Sequence, residues 1–274
     1  MLQQSLIYFN INYLQHFQFI LWGVNNVKNI VYEESYKVRH YEADRNGRVF
    51  IATFVNYFED LSLNHSESLD MGIEYLLENN IAWVVYKWDI NINKYARLGE
   101  ELRVRTWAHS VRRFYAYRKF EIINSLGETI VTANSLWFMI NMKRRRPCKI
   151  QGEIIEKFGL TEKDNTPIEF EKLRKPSNIT AEKTFFVRYS DIDTNKHVNN
   201  VKYVSWALET IPEEIINNYE LKQLRIDYDK ETAYGEAVKV LGETIEIDNG
   251  YIVYNSLLNS NGEKLNLVKT VWGK

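Results

Sequence analysis

Val38-Arg39-His40-Tyr41-Glu42-Ala43-Asp44-Arg45-Asn46-Gly47-Arg48-Val49 is matched further along the chain by Val187-Arg188-Tyr189-Ser190-Asp191-Ile192-Asp193-Thr194-Asn195-Lys196-His197-Val198. Valine, arginine, aspartate, asparagine and valine coincide at a constant offset of 149 residues (from 38 to 187). The agreement continues downstream. Lys94-Tyr95-Ala96-Arg97-Leu98-Gly99-Glu100 pairs with Lys230-Glu231-Thr232-Ala233-Tyr234-Gly235-Glu236. Asn124-Ser125-Leu126-Gly127-Glu128 pairs with Asn259-Ser260-Asn261-Gly262-Glu263, and Trp137 with Trp272. The order is kept throughout, which chance matches rarely achieve, so the chain reads as an internal duplication.

Each copy has the same expected build. A short strand leads through a polar turn into an amphipathic helix, on which Phe54, Phe58 and Leu61 share a face in the first copy. Val201, Val204, Leu208 and Ile211 do so in the second, where Pro212 is expected to stop the helix. Period-2 strands follow: Leu102, Val104 and Thr106 alternate with Arg103, Arg105 and Trp107. The Asn124–Gly127 and Asn259–Gly262 stretches read as hairpin turns. The class is α+β, with an antiparallel sheet wrapped around one long helix in each copy. Neither copy can bury its helix and both sheet faces alone, so the two sheets are expected to join side by side. Pro147, Pro167 and Pro176 fall between the copies. The expected division is therefore 1–30 as a loosely attached extension, 31–142 as the first repeat, 143–180 as a connector and 181–274 as the second repeat.

Composition narrows the function classes. A hydrophobic fraction of 45% and an aromatic fraction of 14% supply a real core. The 35 basic and 36 acidic residues leave a formal charge of −1, so no global field favours nucleic acid or membranes. Cys148 is the one cysteine, which excludes an intrachain disulfide and fits a reducing, cytoplasmic setting. No apolar run is long enough for a spanning helix. Met1 to Asn26 carries no charged side chain, but Gln15, His16 and Gln18 interrupt its apolar residues. That pattern lacks the positive start and continuous core of a signal peptide. A weak membrane-surface helix there is the minor reading.

Asp193, Asn195 and His197 alternate in an otherwise apolar neighbourhood before the second helix. In an extended or turn segment, alternate side chains share a face. Histidine is the side chain that most readily exchanges a proton near neutrality. Glu231 returns 34 residues after His197, on the far side of the helix. Asx-rich stretches also cap helices, and turn-making explains Asp193 and Asn195 equally well on spacing alone. Comparison of the copies separates the roles. The first copy keeps Asp44 and Asn46 but has Arg48 in place of His197 and Tyr95 in place of Glu231. Histidine and glutamate are additions to a shared turn, so one half is expected to do chemistry and the other to bind. Other mechanisms find little support: Cys148 is far in sequence from every histidine, and no Gly-x-Ser-x-Gly turn is present. No metal-ligand spacing or phosphate-cradling glycine loop appears, so neither a metal nor a cofactor is expected.

The segment from Asp191 to Tyr203, followed by Trp206, Glu209 and Pro212, resembles the hallmark segment of acyl-acyl carrier protein thioesterases. The resemblance spans about residues 33–274 and includes Asn64-His65 with Ser68-Leu69. It implies a double hotdog fold and hydrolysis of a fatty acyl thioester, releasing free fatty acid and ending chain elongation. It also implies that Asp193, Asn195, His197 and Glu231 form the catalytic network. Plant members carry a cysteine after that glutamate; here Thr232 stands there, which argues against a thiolate mechanism.

On this resemblance the partner is an acyl carrier protein, acidic as a class, with Arg112, Arg113, Arg144, Arg145 and Arg146 as expected contacts. Phe54, Phe58, Trp83 and Val85 are candidate walls of an acyl tunnel in the first copy, although such residues also make ordinary core. Exposed sheet edges would allow a homodimer. The rival readings are an acyl-coenzyme A thioesterase on the same fold and a non-catalytic acyl-binding protein; the latter would need neither His197 nor Glu231. Nothing in the pattern suggests a nucleic-acid partner.

Overall fold

The computed structural model describes residues 30–194 and 196–274. The expected extension therefore lies, but for its last residue, outside the described residues, as does Asn195. The first copy begins with β1 (Tyr32–Lys37), α1 (Ile51–Ser68) and α2 (Ile73–Glu78). Four long strands follow: β2 (Ile81–Ile92), β3 (Glu101–Arg112), β4 (Tyr115–Ile123) and β5 (Thr129–Asn141). A connector carries the two-residue β6 (Arg146–Pro147) and α3 (Gly152–Lys157). The order then repeats as β7 (Ala181–Phe186), α4 (Asn200–Leu208) and α5 (Glu213–Asn218). Strands β8 (Glu220–Tyr228), β9 (Ala237–Ile247), β10 (Gly250–Leu258) and β11 (Lys264–Gly273) complete it.

The strands form one sheet in the order β1-β3-β4-β5-β2-β8-β11-β10-β9-β7, with β6 beside β5. Replacing each strand by its counterpart in the other copy reverses this order onto itself. The molecule is a double hotdog: each half-sheet wraps its own helix, and the halves meet where β2 pairs antiparallel with β8. Period 2 explains the seam. Trp88 and Ile90 face Ile226 and Leu224 in register, and all four are buried in the core. The alternate pair, Lys87 and Asp227, forms an ion pair at 2.6 Å. Joining there leaves neither central strand with an open edge.

The duplication persists in individual bonds. Trp137 Nε1 donates to Ser135 Oγ at 2.6 Å, and its counterpart Trp272 Nε1 donates to Thr270 Oγ1 at 2.9 Å. Lys94 meets Glu128 at 2.7 Å and Lys230 meets Glu263 at 2.8 Å. The β4–β5 and β10–β11 turns hold Gly127 and Gly262 at φ +82° and +75°, a region that favours glycine.

Helix α1 lays Phe54, Phe58 and Leu61 against the first half-sheet, all with no exposed surface. Each such side chain contributes about 1.5–3 kcal/mol by burial. Their cluster continues without a break into the second half through Val201, Val204 and Leu224. Helix α4 is shorter than expected. It ends at Leu208, and Pro212 is the N-cap of α5 rather than the stop of α4. Thr210 Oγ1 donates back to the Ala207 carbonyl at 2.9 Å, a local bond that competes with helical continuation.

The connector is a built element. Ile150, Ile154, Ile155 and Phe158 join Met71, Ile81 and Met139 in a second, smaller core beneath α2 and α3. The chain then crosses the second half-sheet. Glu171 accepts from Lys269 on β11 and pairs with Arg225 on β8; Arg174 lies over the Tyr254 ring on β10 and reaches Glu243 on β9 at 2.6 Å. The Ser177 backbone N–H and the Arg174 guanidinium hold the Glu243 carboxyl down at about 2. A carboxyl depressed on folding stabilises above its ordinary range and loses that contribution as pH falls through its folded value. Glu243→Gln should thus flatten the fall in melting temperature between about pH 4.5 and 2 relative to wild type. Identical melting-temperature curves for the two proteins would show that this anchor carries no acid sensitivity.

Candidate active site

The polar turn before each helix has the same frame. In the first copy, Asp44 N–H donates to the Arg48 carbonyl at 2.7 Å, and Asp44 Oδ1 accepts from Asn46 N–H and Arg48 N–H at 2.8 and 2.9 Å. In the second, Asp193 N–H donates to the His197 carbonyl at 2.9 Å and His197 N–H donates to Asp193 Oδ1 at 3.3 Å. Bridges Ala43–Val49 and Ile192–Val198 close the two loops. The aspartate therefore clamps the residue four positions on, whether arginine or histidine. Gly47 sits at φ +72°, and its counterpart Lys196 adopts φ +66°. The second copy thus holds a side-chain-bearing residue in a left-handed conformation directly before His197, the kind of local strain that collects at functional turns.

The residues that differ between the copies face each other in both. Arg48 lies over the Tyr95 ring, 5.6 Å from its centroid. In the second copy His197 Nδ1 lies 3.2 Å from Glu231 Oε2. One contact position has been kept while a cation–π pair has been exchanged for an imidazole–carboxylate pair. Arg48 also donates to the carbonyls of Ile216 and Tyr219, tying the first copy's turn to α5 and its C-cap. The histidine pair is half open to solvent, with side-chain exposures of 47% and 49%.

Glu231 has a second partner that the sequence did not reveal. Arg145 Nη2 donates to Glu231 Oε1 at 3.1 Å. The tight turn at the end of β5 brings the connector's basic run across the seam to the second copy's loop. Arg112, the last residue of β3, and Arg113, in the turn that follows, lie at the same end of the sheet, where Ile150 N–H donates to the Arg113 carbonyl. Arg112, Arg113 and Lys143 to Arg146 are all exposed. Thr232 is buried; its N–H donates to Tyr203 Oη at 3.1 Å and its hydroxyl to Glu236 at 2.7 Å.

Asp191, two residues before Asp193, is fully buried. Burial works against its charge, but hydrogen bonds from Arg188 and the charges of Arg188 and Lys202 prevail and hold its carboxyl below the usual range. It ties the loop's entry to α4. A cleft of ≈ 670 Å³ opens between the copies, lined by Tyr36, Tyr57 and Glu59 of the first and by Asp193, Thr194 and Asn199 of the second. That size suits a small-molecule arm.

The four expected tunnel residues divide. Phe54, Phe58 and Val85 lie in the main core, where Phe58 stacks on Trp88 at 5.7 Å. Trp83 packs against the smaller core with Met71 and Met139. A register shift between Val85 and Lys87 separates the two ends of β2. At the far end of α1, His65 is fully buried and its Nδ1 lies 3.0 Å from Arg118 Nη1. Burial, reinforced by that guanidinium, pushes the His65 imidazole down to about 3, so it is neutral and structural. Among the described residues no group of His, Cys, Asp or Glu is placed to hold a metal ion, and no helix is long and apolar enough to cross a membrane.

Two family models match this chain: "Acyl-ACP thioesterase N-terminal domain" over residues 29–158 and "Acyl-ACP thioesterase C-terminal domain" over residues 173–274. A chloroplastic acyl-acyl carrier protein hydrolase of Cuphea viscosissima is 29% identical over 259 residues, covering 89% of this chain and 62% of that one. The chain spans 62%, 52% and 57% of the lengths of three chloroplastic relatives it matches. Among solved structures, one named as an oleoyl thioesterase from Lactobacillus plantarum superposes with a TM-score of 0.82 at 25% identity, covering 91% of this chain and 98% of that one. An acyl-ACP thioesterase from Bacteroides thetaiotaomicron superposes at 0.79 and 25% identity, covering 88% and 97%.

Proposed function

This chain belongs to the acyl-ACP thioesterase family, and from that premise we propose that it hydrolyses fatty acyl thioesters of acyl carrier protein, releasing free fatty acid. The observation that carries the reading is the His197–Glu231 pair at 3.2 Å, built into a turn whose counterpart in the first copy holds Arg48 over Tyr95 instead of an imidazole–carboxylate pair. With Nδ1–H donated to Glu231, His197 presents Nε2 as the base that takes a proton from water. That water attacks the thioester carbon; the carbonyl π electrons move onto oxygen, and collapse of the tetrahedral species expels the thiolate, which takes up the proton. Asp193 acts through the backbone, holding His197 by its own N–H and carboxylate. Asn195 is assigned to the water or the carbonyl by its place between them in the sequence. A backbone N–H at the start of α4 would stabilise the oxyanion.

The open cleft between the copies reaches Asp193 and Asn199, though His197 and Glu231 do not line it, and is assigned to the arm that carries the thioester. The acyl chain is assigned to the first copy, among Phe54, Phe58 and Val85, with Trp83 further along β2. Arg145 reaches Glu231, and the exposed arginines at 112, 113, 144 and 146 are assigned with it to an acidic carrier. Incubating the protein with carrier-linked acyl chains of several lengths, and with the matching coenzyme A thioesters, tests the reading. Fatty acid should appear fastest from the carrier substrates. Faster release from coenzyme A would overturn the carrier assignment, and bound but uncleaved acyl chains would overturn hydrolysis altogether.

A further inference from the structure

We propose that Glu59, on the first copy's helix, is a positioning residue of the second copy's active site, holding the amino-terminal turn of α4 in place through Asn200. Glu59 lies on α1, is half-buried and lines the cleft beside Asp193 and Asn199. Its Oε1 accepts from Asn200 Nδ2 at 3.4 Å. Asn200 is the first residue of α4, three positions after His197.

The pseudo-symmetry of the chain supplies the control. Around the start of α4 the fixings are polar. The Asn199 side chain caps Val201 N–H at 2.9 Å, the Tyr228 hydroxyl donates to the Asn200 carbonyl at 3.2 Å, and Glu59 takes the Asn200 amide. The counterparts of Asn199, Asn200, Tyr228 and Glu59 are Phe50, Ile51, Ile92 and Leu208, every one apolar. Phe50 makes no side-chain cap to α1. Polar groups at four matched positions cost desolvation that apolar ones would not. They gather only around the helix start that follows His197, three from the second copy and Glu59 from the first. A need to hold that turn in one place accounts for the exchange; ordinary helix packing does not, since the first copy packs well without it.

Burial pushes the Glu59 carboxyl up to about 7, the Asn200 bond opposing and the Asp193 charge adding to the rise. A group that is partly protonated at neutrality works by its acceptor oxygen and its shape. Glutamine should therefore replace it, and leucine, the residue at its counterpart position, should not.

The kinetic arm of the test rests on the hydrolase reading; the exchange arm does not. Glu59→Leu, Glu59→Gln, Asn200→Ala and the Leu/Ala double variant are compared with wild type. Glu59→Leu should lower kcat about tenfold with KM within about twofold, and Glu59→Gln should recover most of it, the pattern of a lost transition-state interaction. Asn200→Ala should match Glu59→Leu, and the double variant should lose no more than either. Amide exchange at Val201 and Lys202 should quicken in the Leu and Ala variants and not in Gln. Wild-type kcat in Glu59→Leu, a Gln variant as impaired as Leu, multiplying losses in the double variant, or unchanged exchange would each overturn the proposal. If Glu59→Leu fails to fold, the Gln and Asn200→Ala results decide alone. A wild type that cleaves no thioester sinks the hydrolase reading and leaves exchange to judge Glu59.

Discussion

His197→Ala should reduce kcat for thioester hydrolysis by about 10²–10⁴, the usual worth of positioned general acid–base catalysis, while the melting temperature stays within a few degrees. The side chain is about half exposed and belongs to neither core cluster, so its removal opens no cavity. The turn survives because its bonds to Asp193 come from the backbone of His197. A sharper variant uses the chain's own duplicate. His197→Arg with Glu231→Tyr installs the first copy's pair, whose cation–π contact the turn already accommodates at the Arg48–Tyr95 position. It should fold and be inactive. Wild-type turnover in either variant would remove His197 from the mechanism.

Much of this arrangement was legible because the duplication repeats its turn chemistry. Asp44 and Asp193, and Gly127 and Gly262, recur at fixed offsets since backbone geometry at those turns admits few side chains. The division between turn-making and added residues followed: Asp193 holds the loop by backbone bonds, while His197 and Glu231 meet. The end of α4 is not legible in the sequence, because Pro212 stops a helix or starts one equally well and the Thr210 back-bond is local. Trp83 parts company with Val85 although both keep one register against β5, whose shift falls only after Val85; two residues of extended strand, about 6.6 Å, carry Trp83 to the smaller core. Two contacts could not be seen from local patterns at all. Arg145 reaches Glu231 across 86 residues of sequence, and Glu59 reaches Asn200 across 141. The second left a trace, since Glu59 stands where the other copy has Leu208; extending the comparison of copies along the helices exposes it.

The connector arginines should separate into two kinds when their charges are reversed. Arg144 and Arg146 are exposed and flank Arg145 in the sequence, and Arg144→Glu or Arg146→Glu should raise KM for a carrier-linked substrate by about tenfold, the size expected from one or two kcal/mol of lost attraction. KM for a small thioester should not change, because that substrate never meets the patch. Arg145 is different. Its guanidinium holds Glu231 Oε1 while Oε2 faces His197, so Arg145→Glu sets a like charge against the carboxylate that orients the imidazole. That variant should lower kcat for both substrates and also raise KM for the carrier. The pair is solvent-exposed, with Arg145 at 77%, so salt should mimic part of the effect in wild type. An Arg145→Glu protein with full kcat on the small thioester would reduce Arg145 to a surface charge like its neighbours. Equal kinetic losses on both substrates in Arg144→Glu would remove the carrier from this face.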